Sequence, residues 1–519
     1  MGDDVVASQL ANIDVVIVVI YMIGVLILGT FFARYIKSAG DFFLAGRALP
    51  FWAIGMSVVV SDIGAIDFMA TSGAGYTYGI AAANFDWIGS MPAMAFAAFI
   101  FIPYYWRAGV FTIPEFLGRR YNAAVQIIHA TIWGIFLITM LAVMLWMTAT
   151  MLHTVLGWDR NFCIILIATI TGIYTISGGL SAVVMTDVVQ MIVMFIGGAA
   201  LVLLSLHEVG GWSSLQETVT AMPGREDHFT LLLPHDSSTP YPWTGIVFGL
   251  GIVMATGYMA GNQAVVQRTL GARSEWDAKG GMLFAGFLKV FIPLLVVVPG
   301  LCAVALYPDL SSGDKAVPIM IREILPPGLR GLMFAALFAA LMSSVDSYLN
   351  SATTIWTNDL YGRAYGWITG RNLSPIHALR TGRIVTFMFI ILAAMTAPLL
   401  ANQEAMYNFI QTSLSMFQGP VFAILLLGIL WRRATQWGGL AGLVLGVSFT
   451  TILHNTSGVF PSDDPFLFVA WWSFVFTIIV TVVVSLVTPQ DPDEKVRGLI
   501  FGQVMKDGVV QRVLRERSE

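Results

Sequence analysis

Long apolar stretches alternate with short polar ones from residue 13 to about residue 487. An apolar run of about 20 residues is long enough to cross a bilayer as a helix. Such runs, bounded by Gly, Pro and charge, predict thirteen spans. They lie near 13–34, 51–73, 82–105, 124–155, 160–178, 186–206, 244–268, 281–307, 328–361, 382–400, 406–430, 436–455 and 467–487. The first is numbered helix 0 and the others helices 1 to 12. The pattern predicts an all-α integral membrane protein.

Composition agrees. The chain is 57% hydrophobic and 11% charged, where soluble chains carry about 25% charged residues. With the N-terminus outside, most of the 27 Lys and Arg residues, Arg120 and Arg268 among them, fall in inner-side loops, as the positive-inside rule requires. The expectation is a multi-pass protein of the cell (plasma or inner) membrane, N-terminus outside and C-terminus cytoplasmic. The opening "MGDDVVASQLANID" lacks a basic n-region, so helix 0 reads as a span and not as a cleaved signal. The loop containing "PGREDHFTLLLPHDSSTPYP" reads as an ordered surface loop or lid. The terminal "GQVMKDGVVQRVLRERSE" reads either as a short basic helix on the membrane surface or as a solvated tail. Cys163 and Cys302 sit in apolar segments, and the seven His residues show no metal-ligand spacing. No P-loop is present, so ATP-driven transport is not expected. Neither an enzyme cofactor nor a nucleic-acid partner is expected.

Polar groups inside the spans carry the functional signal. Helix 1, "FWAIGMSVVVSDIGAIDFMA", is interrupted by Asp62, Gly64 and Asp67. Helix 6, "GIVMATGYMAGNQAVVQRTL", is interrupted by Gly257, Gly261 and Asn262. Each opens a consecutive set of five spans. Interruptions at matching places in two halves point to an inverted-repeat transporter, because backbone left unpaired at membrane depth must line a cavity or hold a ligand. Kinks made for packing are the plainer reading. In helix 8, "FAALMSSVDSYLN" places Ser343, Asp346, Ser347, Asn350 and Thr354 on one face. Interhelical hydrogen bonding would explain the serines. An aspartate at mid-membrane costs roughly 2.5–3.5 kcal/mol and needs a cation, a proton or a donor. In helix 5, Asp187 reads as a site residue, an interfacial residue or a cap. Asp86 and Lys289 are buried ionisable candidates, with Lys289 pairing to Asp86 or Asp67.

The segments "DFFLAGRALPFWAIGMS", "GVFTIPEFLGRRYN", "ISGGLSAVVMTDVVQM", "NQAVVQRTL" and "FAALMSSVDSYLNSATTIWTNDLY" resemble the solute:sodium symporter family, and most nearly its sodium/glucose and sodium/galactose branch. The resemblance implies a LeuT-type core of two inverted five-helix repeats. Residues 1–50 would be helix 0 and a linker, 51–206 the first repeat, 207–243 an extracellular loop and 244–433 the second repeat. Residues 434–488 would be peripheral helices 11 and 12, and 489–519 a cytoplasmic tail. It implies sodium as the coupling ion, held by the carbonyls of Val60, Ile63 and Ala340 and the hydroxyls of Ser343 and Ser344. It implies a further cation site at Asp187, Asp346 and Ser347 in some members, although the sugar carriers have a small or hydroxyl residue where Asp346 stands. Its substrate contacts map onto Asp67, Phe85, Asp86, Tyr258, Lys289, Tyr407 and Gln411. Asp86 replaces a glutamate, Asp67 a glutamine and Ala255 an asparagine of that pattern. The expected partners are a small polar solute, sodium and the bilayer, with the monomer as the working unit. A neutral polyol suits these residues, as does a carboxylate if Lys289 is free or a cation if Asp67 is free. Proton coupling through Asp346 or Asp62, a transporter-like sensor and a passive channel are the competing expectations.

Overall fold

The structure is a computed structural model that describes residues 11–64, 67–237, 239–402, 406–456, 459–460 and 465–502. The expected roles of the Asp67 and Tyr407 side chains, and the expected fate of the segment beyond residue 502, lie outside the described residues. Among the described residues nine helices are long and apolar enough to cross a membrane, or eleven with two bent pairs each taken as one span. One of the nine, Arg160–Val209, has fifty residues. A straight helix of that length would run about 75 Å, more than twice a bilayer's hydrocarbon core. It is two spans, helices 4 and 5, joined at Gly179. There φ is +51° and ψ −147°, and a Cβ would stand 2.3 Å from the Phe42 carbonyl oxygen. Only glycine fits that backbone and that approach. With this division, and with Phe51–Asp62 as the first half of an interrupted span, the architecture is consistent with about thirteen spans.

Helix 1 starts behind Pro50, whose φ of −80° and ψ of 156° are extended, and stops at Asp62, where Ile63 leaves the helical region at φ −105° and ψ 91°. The chain resumes as helix at Asp67–Thr71 and Ser72–Tyr78. Helix 6 runs through Gly245–Gly261 and bends by 50° into Gln263–Leu270. Asn262 marks the break, at φ −74° and ψ 119°, and its side chain caps the second half by accepting from Ala264 N. Gly257, expected among the interruptions, lies inside a helix. Helix 8, Leu329–Ile355, is buried on almost every side. It packs against helices 4 and 5 and against helix 3, Ala123–Leu156.

Peripheral parts are pinned by specific polar contacts. Helix 0, Asn12–Phe31, turns Ile13, Ile20 and Ile27 outward, as a lipid-facing helix does. Its Asp14 is fully buried. One carboxylate oxygen accepts from Gly328 N and Gly331 N at 2.7 Å each, at the start of helix 8. Residues 489–502, expected to be plain polar tail, fold back onto the bundle. Val496 is fully buried, and Phe501 N donates to the Ile429 carbonyl at 2.8 Å. Arg120 reads in the sequence as a loop charge, yet it is buried. It donates to the carbonyls of Gly428, Trp431 and Ala434, the free end of helix 10 and the turn after it.

Asp14→Ala strips two backbone donors, one buried and one half-buried, of their acceptor. It should lower stability by about 1–3 kcal/mol, read as the thermal or denaturant midpoint of purified protein in detergent. Unchanged unfolding would show that helix 0 is not anchored through this carboxylate.

Candidate functional site

Where helix 1 stops, its last carbonyls have no helical partner, and helix 8 supplies hydroxyls opposite them. Ser343 Oγ donates to the carbonyls of Val60 and Ala340, both at 2.9 Å. Ser344 Oγ donates to the Ala340 carbonyl at 3.1 Å and the Ser61 carbonyl at 3.4 Å. Of the sequence-expected set, Val60, Ala340, Ser343 and Ser344 thus meet at the helix 1 break, and Ile63 is the residue at which that half-helix ends. All the donors are oxygens and none is a carboxylate. A neutral oxygen shell suits a hard monovalent cation better than a divalent one, which draws acidic ligands.

The second expected set, Asp187, Asp346 and Ser347, also assembles, around a residue the sequence reading treated as a loop charge. Arg268, on the second half of helix 6, is buried. Its Nε donates to Ser57 Oγ at 2.5 Å, and one Nη reaches Ser61 Oγ at 2.5 Å and Asp187 Oδ2 at 3.1 Å. The same Nη contacts Ser347 Oγ. Asp187 also accepts from Ser57 at 2.5 Å and Ser61 at 3.2 Å. Asp346 accepts from Tyr174 Oη at 2.5 Å and Ser347 Oγ at 3.1 Å. One guanidinium therefore ties helices 1, 5, 6 and 8 together. Asp187 is neither interfacial nor a cap.

Beside the break lies a cavity of about 180 Å³. Its walls include Asp62 and Ile63 of helix 1, Phe85 and Asp86 of helix 2, and Tyr258 and Ala255 of helix 6. Lys289 of helix 7, Ser344 and Tyr348 of helix 8, and Gln411 of helix 10 also line it. Tyr258 Oη and Tyr348 Oη stand 3.5 Å apart. The Lys289 ammonium is clasped by two carboxylates, Asp62 at 2.5 Å and Asp86 at 2.7 Å. The predicted pairing of Lys289 with Asp86 is present, and its second described partner is Asp62.

One end of the cavity is covered by the loop before helix 6. Tyr241 reaches the wall and meets the Phe85 ring edge-on, with centroids 5.9 Å apart. The loop docks on the far end of helix 1: Ile80 N donates to the His228 carbonyl at 2.7 Å, and Arg225 Nη1 to the Tyr76 carbonyl at 2.7 Å. Gly79 allows the contact. Its φ is +78°, and a Cβ there would lie 2.2 Å from the His228 carbonyl oxygen.

Two interrupted helices framing one cavity, with an oxygen shell at the first break, are what the sequence resemblance implies. The profile of the sodium:solute symporter family matches residues 42–446. The chain belongs to the sodium:solute symporter family. It is 32% identical to a sodium/glucose cotransporter of Vibrio parahaemolyticus, across 93% of this chain and 92% of that protein. It is 31% identical to a sodium/myo-inositol cotransporter of Canis lupus familiaris, across 95% of this chain and 76% of that protein. Among solved structures, a Na+-coupled sialic acid symporter in a substrate-bound outward-open state aligns with TM-score 0.81. That match has 23% identity and covers 92% of this chain and 99% of the other. Mhp1, a nucleobase-cation-symport-1 family transporter, aligns with TM-score 0.57 at 13% identity, covering 88% and 97%. These structures establish the LeuT-type fold.

Within this symporter, sequence reasoning missed Arg268, Ser57, Ser61, Tyr174 and Tyr241. The signal for Arg268 was its place in "NQAVVQRTL", four residues after Ala264 on a helix too short to read as buried. Ser57 and Ser61 are one turn apart on helix 1 and face the same way.

Two outcomes follow. Arg268→Gln leaves Asp187 buried without its cation, so it should destabilise by about 3–5 kcal/mol. Adding Asp187→Asn should recover part of that loss. A strictly additive double-mutant cycle in detergent unfolding would exclude the pairing. In the loop, burial first and the Arg225 charge second lower the pKa of His228, while the Tyr76 carbonyl raises it. The folded pKa therefore lies below the unfolded one. Docking strength is full above the ordinary value of about 6.5 and is lost as pH falls through the lowered one. Once the intrinsic fall of amide exchange with pH is divided out, the protection of residues 222–237 should drop on acidification, and His228→Gln should remove that drop.

Proposed function

We propose that this protein is a sodium-coupled secondary active symporter that imports a small, neutral, polyhydroxylated solute, a sugar or polyol, by alternating access. The observation that carries this reading is the oxygen shell of Val60, Ala340, Ser343 and Ser344, set behind the central cavity, whose wall includes Ser344 and the neighbouring Ser61, Asp62 and Ile63. Sodium there bridges helix 1 to helix 8 and organises the break that borders the substrate. The relatives named for sodium/glucose and sodium/myo-inositol cotransport support a hydroxyl-rich solute.

The cavity's chemistry supports the same class. Asp86, Lys289, Gln411 and Tyr258 line it with both donors and acceptors. Lys289 faces two carboxylates, which disfavours a carboxylate solute. Phe85 offers an apolar ring face to stack on the solute. Asp67 and Tyr407 belong to the proposed contacts by their places in the chain. The Asp187, Asp346 and Ser347 cluster is the proposed place of a second coupling cation. Its two acids exceed the single Arg268 charge, and Asp187 Oδ1 is buried without a hydrogen-bond partner among the described residues. The N-terminus is placed outside and the C-terminus in the cytoplasm of the cell membrane, with one chain as the transport unit. Each sodium contributes about 2.3 kcal/mol per 100 mV, roughly 1.7 decades of accumulation.

The test is uptake into proteoliposomes from a panel of sugars, polyols, carboxylates and organic cations, with and without a sodium gradient. Sugar or polyol uptake should need sodium. Uptake that follows an imposed pH gradient without sodium would replace sodium with protons, and no uptake of any solute would favour a sensor. Ser343→Ala with Ser344→Ala should raise the half-saturating sodium concentration by about tenfold or more, the loss of roughly 1.4 kcal/mol. Unaltered sodium activation would remove these residues from the site. In Asp346→Ala, a Hill coefficient for sodium that falls toward one supports the second cation, and an unchanged coefficient makes Asp346 structural.

A further inference from the structure

Asp62 occupies an unusual place. It is the last residue of the first half of helix 1, flanked on one side by Ser61 and Val60 and on the other by Ile63. The backbone on both sides of it therefore belongs to the proposed sodium shell, while its side chain faces the substrate cavity. A carboxylate at the C-terminal end of a helix adds to the negative end of the helix dipole. A cation must offset it, and two are within reach: Lys289, 2.5 Å away across the cavity, and an ion bound to the adjoining carbonyls. Lys289 in turn divides itself between Asp62 and Asp86. The sodium shell and the solute cavity thus share one chain of charges, Asp62 to Lys289 to Asp86.

We propose that Asp62 is the positioning residue that makes solute affinity depend on sodium. Without sodium, Asp62 holds one of the three N–H donors of the Lys289 ammonium and keeps that donor from the solute. Sodium bound beside Asp62 offsets the same negative charge and loosens its hold on Lys289. The ammonium, still anchored by Asp86, then turns a proton toward a solute hydroxyl. Sodium and Lys289 compete for Asp62, and the outcome of that competition reaches the cavity as a hydrogen-bond donor gained or withheld. This rests on sodium binding at the helix 1 break, the reading given above.

Two measurements on the full-length protein test it. The first is ²²Na⁺ binding without any solute. Lys289→Gln removes the competitor and should tighten sodium binding, whereas Asp62→Asn should weaken it. The second is solute KM in proteoliposomes at low and at saturating sodium, with radiolabelled glucose and myo-inositol as probes. In the parent protein KM should fall by about tenfold as sodium rises, within the usual range of coupling between sites. In Asp62→Asn that ratio should shrink toward one, and Asp62→Glu should restore it. A structural role alone would change the amount of folded carrier, not this ratio. An Asp62→Asn carrier that keeps the parent ratio overturns the proposal, as does sodium binding that is unchanged or weaker in Lys289→Gln. If Asp62→Asn does not fold, the Lys289→Gln binding measurement decides by itself. Absence of ²²Na⁺ binding and of sodium-dependent uptake in the parent protein would instead remove the sodium reading on which the proposal stands.

Discussion

Helix 1 ends in the middle of a bilayer, and the peptide groups it leaves unpaired there have to be satisfied by something other than water. Much of the centre of the molecule answers that demand. Helix 8 turns Ser343 and Ser344 toward the stranded carbonyls. The second half of helix 6 sends Arg268 beneath the same half-helix to Ser57 and Ser61. The cavity that receives solute is the space left where the helix would have continued. A continuous helix would close its own hydrogen bonds and leave neither an ion shell nor a pocket.

The buried charges follow a common rule. Lys289 meets Asp62 and Asp86, and Arg268 pairs with Asp187, which lies in one polar cluster with Asp346. Each base is thus set among two acids, and each group is formally one negative charge in excess. Taking such groups out of water is costly unless the charges are matched. Two monovalent cations would bring both groups to neutrality.

The spans, the two breaks and the polar face of helix 8 were legible because each is a departure from local periodicity. Ser343 could be read from the residues alone, while Ser344 and the carbonyls of the proposed shell needed the family pattern, since a carbonyl leaves no mark in a sequence. The partner of Lys289 was half legible: Asp86 was foreseen and Asp62 was not. Their separation along the chain carries no information about distance in space. Arg268 was misread because an arginine at the end of an apolar run normally marks a membrane boundary. Here the bend at Asn262 carries the run back into the protein. The folding back of residues 489–502 was hidden by their polarity, since the few apolar residues that dock, Val496, Leu499 and Ile500, are scattered among charges.

Asp14 joins helix 0 to the first turn of helix 8 through two backbone donors. One face of helix 0, with Ile13, Ile20 and Ile27, is exposed, while Val18, Tyr21, Met22 and Val25 are buried where it packs against helices 4 and 5 and helix 8. The bilayer therefore grips, at one remove, the very helix that carries Ser343 and Ser344. A membrane thicker or thinner than helix 0 prefers exerts a tilt on it, at fractions of a kcal/mol per Å of mismatch. Through Asp14 that load passes to helix 8, so the thickness of the surrounding lipid becomes one of the forces acting on the proposed ion shell.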